Sequence, residues 1–252
     1  MRVGAYYGGI DSGRAAESGI LAAMLADHGL PGITEDSLEG KFGFLNTYAG
    51  EGNFQRKSIV DSLGQKWSMS DVFLKRYPIS YACHQVVDAA IRLHSKVGYS
   101  EIARVRYGDK LENIRLFAEP SSSKKRPANM YDAKTSTYFL IALALAYGDV
   151  TSKFLSDKVR EKKILQLFDK VQYEPDEMDV WVEADKKNGT PHKEVVSSLI
   201  QTDDKKLRKK YYENAEPSIG RKNAEKVEEL IRDLERVKSI RSLTKLLLSP
   251  KL

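Results

Sequence analysis

The chain has 252 residues, 41% of them hydrophobic and 30% charged, a composition that can bury a core and excludes a disordered protein. Its net charge of +6 is spread evenly over both halves, which argues against a dedicated nucleic-acid arm, and no nucleic-acid partner is expected. A single cysteine, Cys83, excludes intramolecular disulfides and cysteine-rich zinc sites, and the four histidines (His28, His84, His94, His192) lack close metal-ligand spacing.

In chain order, residues 13–29 predict a helix, with Ala16, Ile20, Ala23, Met24 and Asp27 at helical spacing and Gly29 as its stop. Residues 35–48 predict a short second helix, and 50–66 a polar connection. A third helix is predicted over 82–96, where Ala82, Val86, Ala89, Ala90 and Leu93 share one face. Ile102–Tyr107 alternates with period two, as a half-buried strand does. Residues 113–118 are a second strand candidate, with a turn at Gly108-Asp109 between the two. The basic run in 120–127 reads as a solvated loop.

Residues 132–147 are apolar on nearly every side and predict a buried helix, with Asp132 as N-cap and Gly148 just past the end. The longest apolar stretch, Tyr138 to Tyr147, is too short to cross a bilayer. The start of the chain lacks the apolar core of a signal peptide, so a cytoplasmic protein without membrane contact is expected. A further helix is predicted over 158–171. Two strand-like runs, 180–184 and 192–197, flank Asn188-Gly189, a hairpin signal. Helices over 203–214 and 218–248 close the chain, the second with Ala224, Val227, Leu230, Ile231, Leu234 and Val237 as its apolar stripe. The order predicts a mainly α protein with an inserted α/β (α+β) module.

The most informative run is Phe73–Ala90. Lys75 and Arg76 stand just before Tyr77-Pro78, and Pro78 disfavours helix at Tyr77, so the two cations lie on an extended or bending segment. Two adjacent cations before such a bend can be held toward an anion; the plainer alternative is a solvated loop. His84 and Asp88 follow one helical turn apart. Cys83 beside His84 suggests a nucleophile pair, but neighbours in sequence diverge on a helix, and a buried structural thiol fits better.

Four stretches together carry a family resemblance. They are Gly13-Arg-Ala-Ala-Glu-Ser-Gly19 with Ala22-Ala23, Leu38-Glu-Gly40 with Gly43-Phe44, Lys75-Arg-Tyr-Pro78 with His84 and Asp88-Ala89-Ala90, and Asp132-Ala-Lys-Thr-Ser136 running to Gly148-Asp149-Val150. In order and spacing the chain resembles the MmgE/PrpD family of 2-methylcitrate dehydratases, cis-aconitate decarboxylases and iminodisuccinate epimerases. The resemblance implies a helical domain and a smaller α/β lid, with an active site in the cleft between them. On that pattern residues 1–70 are part of the helical domain, 71–200 the lid, and 201–252 helices returning to the helical domain. It also implies a homodimer, no metal or organic cofactor, and proton abstraction next to a carboxylate.

Such chemistry needs a base near the acidic C–H and fixed cations on the carboxylates. By resemblance Lys75 is the catalytic carboxylate or enolate stabiliser, and Arg76, Ser80 and His84 are substrate-binding candidates. His84 reads equally as a hydrogen-bonded orienting residue. Ser80 stands where the family often has Cys or His, and Phe139 where it often has Tyr; a phenyl ring cannot donate a proton. On the resemblance, the family's long helical segment ahead of the position matching Met1 is expected to be supplied by another chain. The expectation is therefore a component that needs a partner chain to complete its site on a small anionic carboxylate. The alternative is a non-catalytic anion-binding or oligomerising member.

Overall fold

The computed structural model describes residues 10–32, 36–110, 117–119, 124–176 and 178–248. They fall into two compact units, one within Tyr6–Phe73 and the other running from Leu74 through the C-terminal helices.

In the first unit, α1 (Ile10–Asp27) ends where Gly29 takes φ +87° and the Leu30 amide reaches back to the Leu25 carbonyl at 2.9 Å. No residue of α1 is buried, and Ile20, Leu21 and Met24 are exposed. The single helix expected over 35–48 is two, α2 (Asp36–Glu39) and α3 (Phe44–Ala49). The chain folds back at Gly40 and Gly43, where a Cβ would sit 2.5 and 2.8 Å from the Asp36 carbonyl oxygen. Only glycine fits so close an approach. The polar connection holds one short helix, α4 (Arg56–Val60), before the 3-10 turn Ser68–Asp71.

The second unit begins with a bent strap that leads into the 3-10 turn Tyr81–Cys83 and α5 (His84–His94). Strand β1 (Ile102–Asp109) is longer than its alternating pattern. The expected turn at Gly108-Asp109 is not formed: Gly108 pairs with Trp181, and a Cβ there would lie 2.2 Å from the indole nitrogen. Its glycine serves close packing rather than a bend. The second strand candidate lies mostly outside the described residues, and its described end, Phe117-Ala118, is not strand.

The buried apolar stretch is two helices, α6 (Met130–Ala133) and α7 (Thr137–Tyr147). Ser136, not Asp132, caps α7, its Oγ accepting from the Phe139 amide at 3.1 Å. Asp132 instead accepts from the Ala128 amide and the Asn129 side chain. Gly148 ends α7 at φ +66°, as the sequence indicates. After the short helix α8 (Ser152–Asp157), the helix expected over 158–171 forms only as α9 (Lys162–Phe168), and Val171 opens β2 (Val171–Pro175). The hairpin forms as β3 (Trp181–Lys186) and β4 (Pro191–Val195), with Gly189 at φ +85° in its turn.

These strands make one mixed sheet in the order β2-β1-β3-β4, parallel between β1 and β2 and antiparallel elsewhere. Helix α7 is buried all round, against α5, α9 and β2, while α5 also covers β3 and β4. The C-terminal region is α10 (Asp204–Ile219), α11 (Arg221–Arg232) and α12 (Arg241–Thr244). The long helix expected over 218–248 is broken, first by Gly220 at φ +77° and again after Arg232. Ala224 and Val227 of its stripe pack with Tyr211 and Tyr212, whereas Ile231 and Leu234 stay exposed. The fold is α+β. Among the described residues no helix is long and apolar enough to cross a membrane.

Candidate anion-binding site

The strap is fixed from below by a buried carboxylate. Asp88, on the inner face of α5, accepts from the Arg76 guanidinium and from the Tyr77 hydroxyl, both at 2.8 Å on Oδ1. The Arg76 and Asp88 side chains are 9% and 4% exposed. Buried so deeply, the pair holds the strap in place, since losing either partner would strand a charge. Burial, reinforced by Asp88, pushes the Tyr77 phenol up, so it remains a donor. The Arg76 Nε and Asp88 Oδ2 are buried without a hydrogen-bond partner among the described residues.

His84 secures the same strap. Its Nδ1 lies 3.1 Å from the carbonyls of both Ser80 and Tyr81, and its Nε2 accepts from the Tyr77 amide at 3.4 Å. That pattern fixes the neutral tautomer with the proton on Nδ1. Burial is the main cause that lowers its pKa, with Lys75 contributing. Ser80 holds the strap through its backbone, its amide donating to the Lys134 carbonyl at 3.1 Å. Cys83 is buried against Thr137, and desolvation pushes its thiol up to about 12, which makes it inert as a nucleophile.

Lys75 differs from its neighbours. It is exposed, and no acidic side chain among the described residues pairs with it. Its field reaches Cys83, His84 and Lys210. Lys210, on α10, donates its ammonium to the Lys75 carbonyl. Burial, and then the Lys75 charge, lower the Lys210 pKa. Two like charges are thus held together without a carboxylate between them, an arrangement that an incoming anion would relieve.

Of the residues singled out in the sequence, Lys75 alone presents a charge without an acidic partner. Arg76 is committed to Asp88, and His84 uses both ring nitrogens inside the fold. Phe139 is fully buried, its ring edge-on to Phe168. Two lysines escaped the sequence reading. Lys210 sits in a basic helical run with no sign that this face meets the strap. Lys124 belongs to the run expected to be a solvated loop, yet it is 6% exposed, and its ammonium donates to the Thr135 hydroxyl at 3.1 Å. Burial lowers its pKa. Among the described residues no cluster of His, Cys, Asp and Glu could hold a metal ion.

The second unit is thus an α+β domain presenting a basic strap. The family model for the MmgE/PrpD C-terminal domain matches residues 77–236, which spans that strap from Tyr77, the sheet and the helices α5 to α11. The chain belongs to the MmgE/PrpD family. The search of curated proteins gave no match.

Proposed function

We propose that this chain is the carboxylate-holding component of a cofactor-independent lyase or isomerase that acts on a di- or tricarboxylate, in the manner of a 2-methylcitrate dehydratase. The observation that carries the reading is Lys75, an exposed cation without an acidic partner among the described residues, on a strap fixed by Arg76, Asp88 and His84. A fixed cation stabilises the charge that develops when a proton leaves the carbon next to a carboxylate. The second unit acts as the lid over the reacting molecule.

The base comes from a partner, either a second copy of this chain or a different polypeptide. Near Lys75, His84 has both nitrogens engaged and Cys83 is a buried thiol, while Phe139 lies in the core and has no ionisable group. Exposed apolar side chains in the first unit, including Leu21, Met24, Phe42 and Trp67, give such a partner something to cover. A second reading, a non-catalytic anion-binding member, is favoured by the burial of Phe139 in the core.

Ligand-observed NMR with citrate, 2-methylcitrate, succinate and the triamide of tricarballylic acid tests the proposal. The carboxylates are expected to bind and the neutral triamide is not. In D2O the chain alone should exchange the substrate C–H protons where a second copy supplies the base, and exchange should begin only on adding the other polypeptide where that supplies it. Equal binding of triamide and acids, or no binding at all, would overturn the carboxylate reading. Binding that never leads to exchange in the assembled complex would favour the second one.

A further inference from the structure

We infer that the second unit carries another oxyanion site, which shares Lys210 but not the Lys75 side chain with the first, in a cavity of about 260 Å³ between the strap, the end of α7 and α10. Lys75, Ser80 and His84 do not line it. Its charges can be followed one by one. Arg76 is neutralised by Asp88 at 2.8 Å. Lys209 lies 2.8 Å from Asp149 and 3.6 Å from Glu213, the two carboxylates that line the cavity, and its single charge leaves one of theirs over.

Lys206 and Lys210 are left over. Neither has an acidic partner among the described residues, and they stand one turn apart on one face of α10. Like charges at that spacing repel, and Lys210 feels Lys75 as well. The Thr151 hydroxyl lines the same wall with its proton free to donate, while the Ser152 hydroxyl donates to the Asn214 side-chain oxygen at 2.6 Å and the Asn214 amide donates to the Lys210 carbonyl at 2.6 Å. The floor includes Arg76, whose side chain is nine-tenths buried and whose Nε–H has no partner among the described residues.

Counted with Asp88, the four cations and three carboxylates at the cavity leave one positive charge, which with the Thr151 hydroxyl suits a compact anion. Inorganic phosphate and a small dicarboxylate share that chemistry. The Lys210 ammonium also donates to the Lys75 carbonyl, so an occupant would touch the strap residues that follow Lys75.

Isothermal titration of the full chain at low ionic strength, with phosphate and with succinate in separate runs, tests the inference. Saturable binding of at least one anion is expected, and the tighter of the two identifies the source. Lys206→Gln, a change at an exposed side chain, should weaken it about tenfold, the loss of one charge-assisted hydrogen bond. Lys222→Gln, on exposed α11 surface away from the cavity, should leave it unchanged. Lys75→Ala should also leave it in place, which separates this site from the proposed carboxylate site. Absence of saturable binding for both anions, or equal weakening by Lys206→Gln and Lys222→Gln, would overturn it.

Discussion

Lys210 donates its ammonium to the backbone carbonyl of Lys75, 135 residues earlier in the chain. The contact ties α10 to the strap and brings a second cation up to the first. It joins the C-terminal helices to the strap within one compact unit.

The Arg76–Asp88 pair should dominate the stability of the strap. Arg76→Ala is expected to cost about 3–5 kcal/mol, because it leaves Asp88 charged and buried. Replacing both, as Arg76→Met with Asp88→Leu, should recover much of that loss. Urea unfolding followed by circular dichroism measures both.

His84 should give a pH signature. Its folded-state pKa lies below the ordinary 6.5, so the unfolded chain binds the extra proton first. Stability is therefore full above about pH 6.5 and falls as the pH drops from there through the lower folded value. In His84→Gln this slope should be absent when urea midpoints are compared between pH 7 and pH 5, a window above the ordinary carboxylate range.

Gly108 should tolerate no side chain. A Cβ there would meet the Trp181 ring at 2.2 Å, with the indole held by Asp176 at 2.8 Å. Gly108→Ala is expected to cost about 1–3 kcal/mol by overpacking. The shift in urea midpoint reads it, and intrinsic fluorescence should report a displaced Trp181.

Ser136→Ala should remove the cap of α7 and cost about 1 kcal/mol, since Oγ satisfies the Phe139 amide. Asp132→Ala should not uncap α7. Comparing the thermal midpoints of the two variants distinguishes the observed cap from the one that the sequence suggested.

Much of this fold is written in local pattern. Asn188-Gly189 marks the hairpin, Gly148 the end of α7, and the period-two run Ile102–Tyr107 the strand β1. Errors arose where a local signal had a tertiary use. Gly108 looks like a turn and instead makes room for Trp181. Val171 continues a helical period, yet it pairs with Val105 across a parallel ladder that no local pattern announces. Lys75 stands out in the sequence because it lies beside a proline-set bend. The Arg76–Asp88 pair, the engagement of both His84 nitrogens and the approach of Lys210 depend on where distant segments meet, and residue spacing alone does not encode that.

The most direct test of the account is the affinity of the chain for citrate with and without the Lys75 ammonium. Titration calorimetry at low ionic strength on the unmodified chain and on Lys75→Ala should show at least about a tenfold loss, the magnitude of one charge-assisted hydrogen bond. Lys75→Arg should retain part of the affinity. Equal citrate affinity in the unmodified chain and in Lys75→Ala would contradict the assignment of Lys75 as the carboxylate-holding cation.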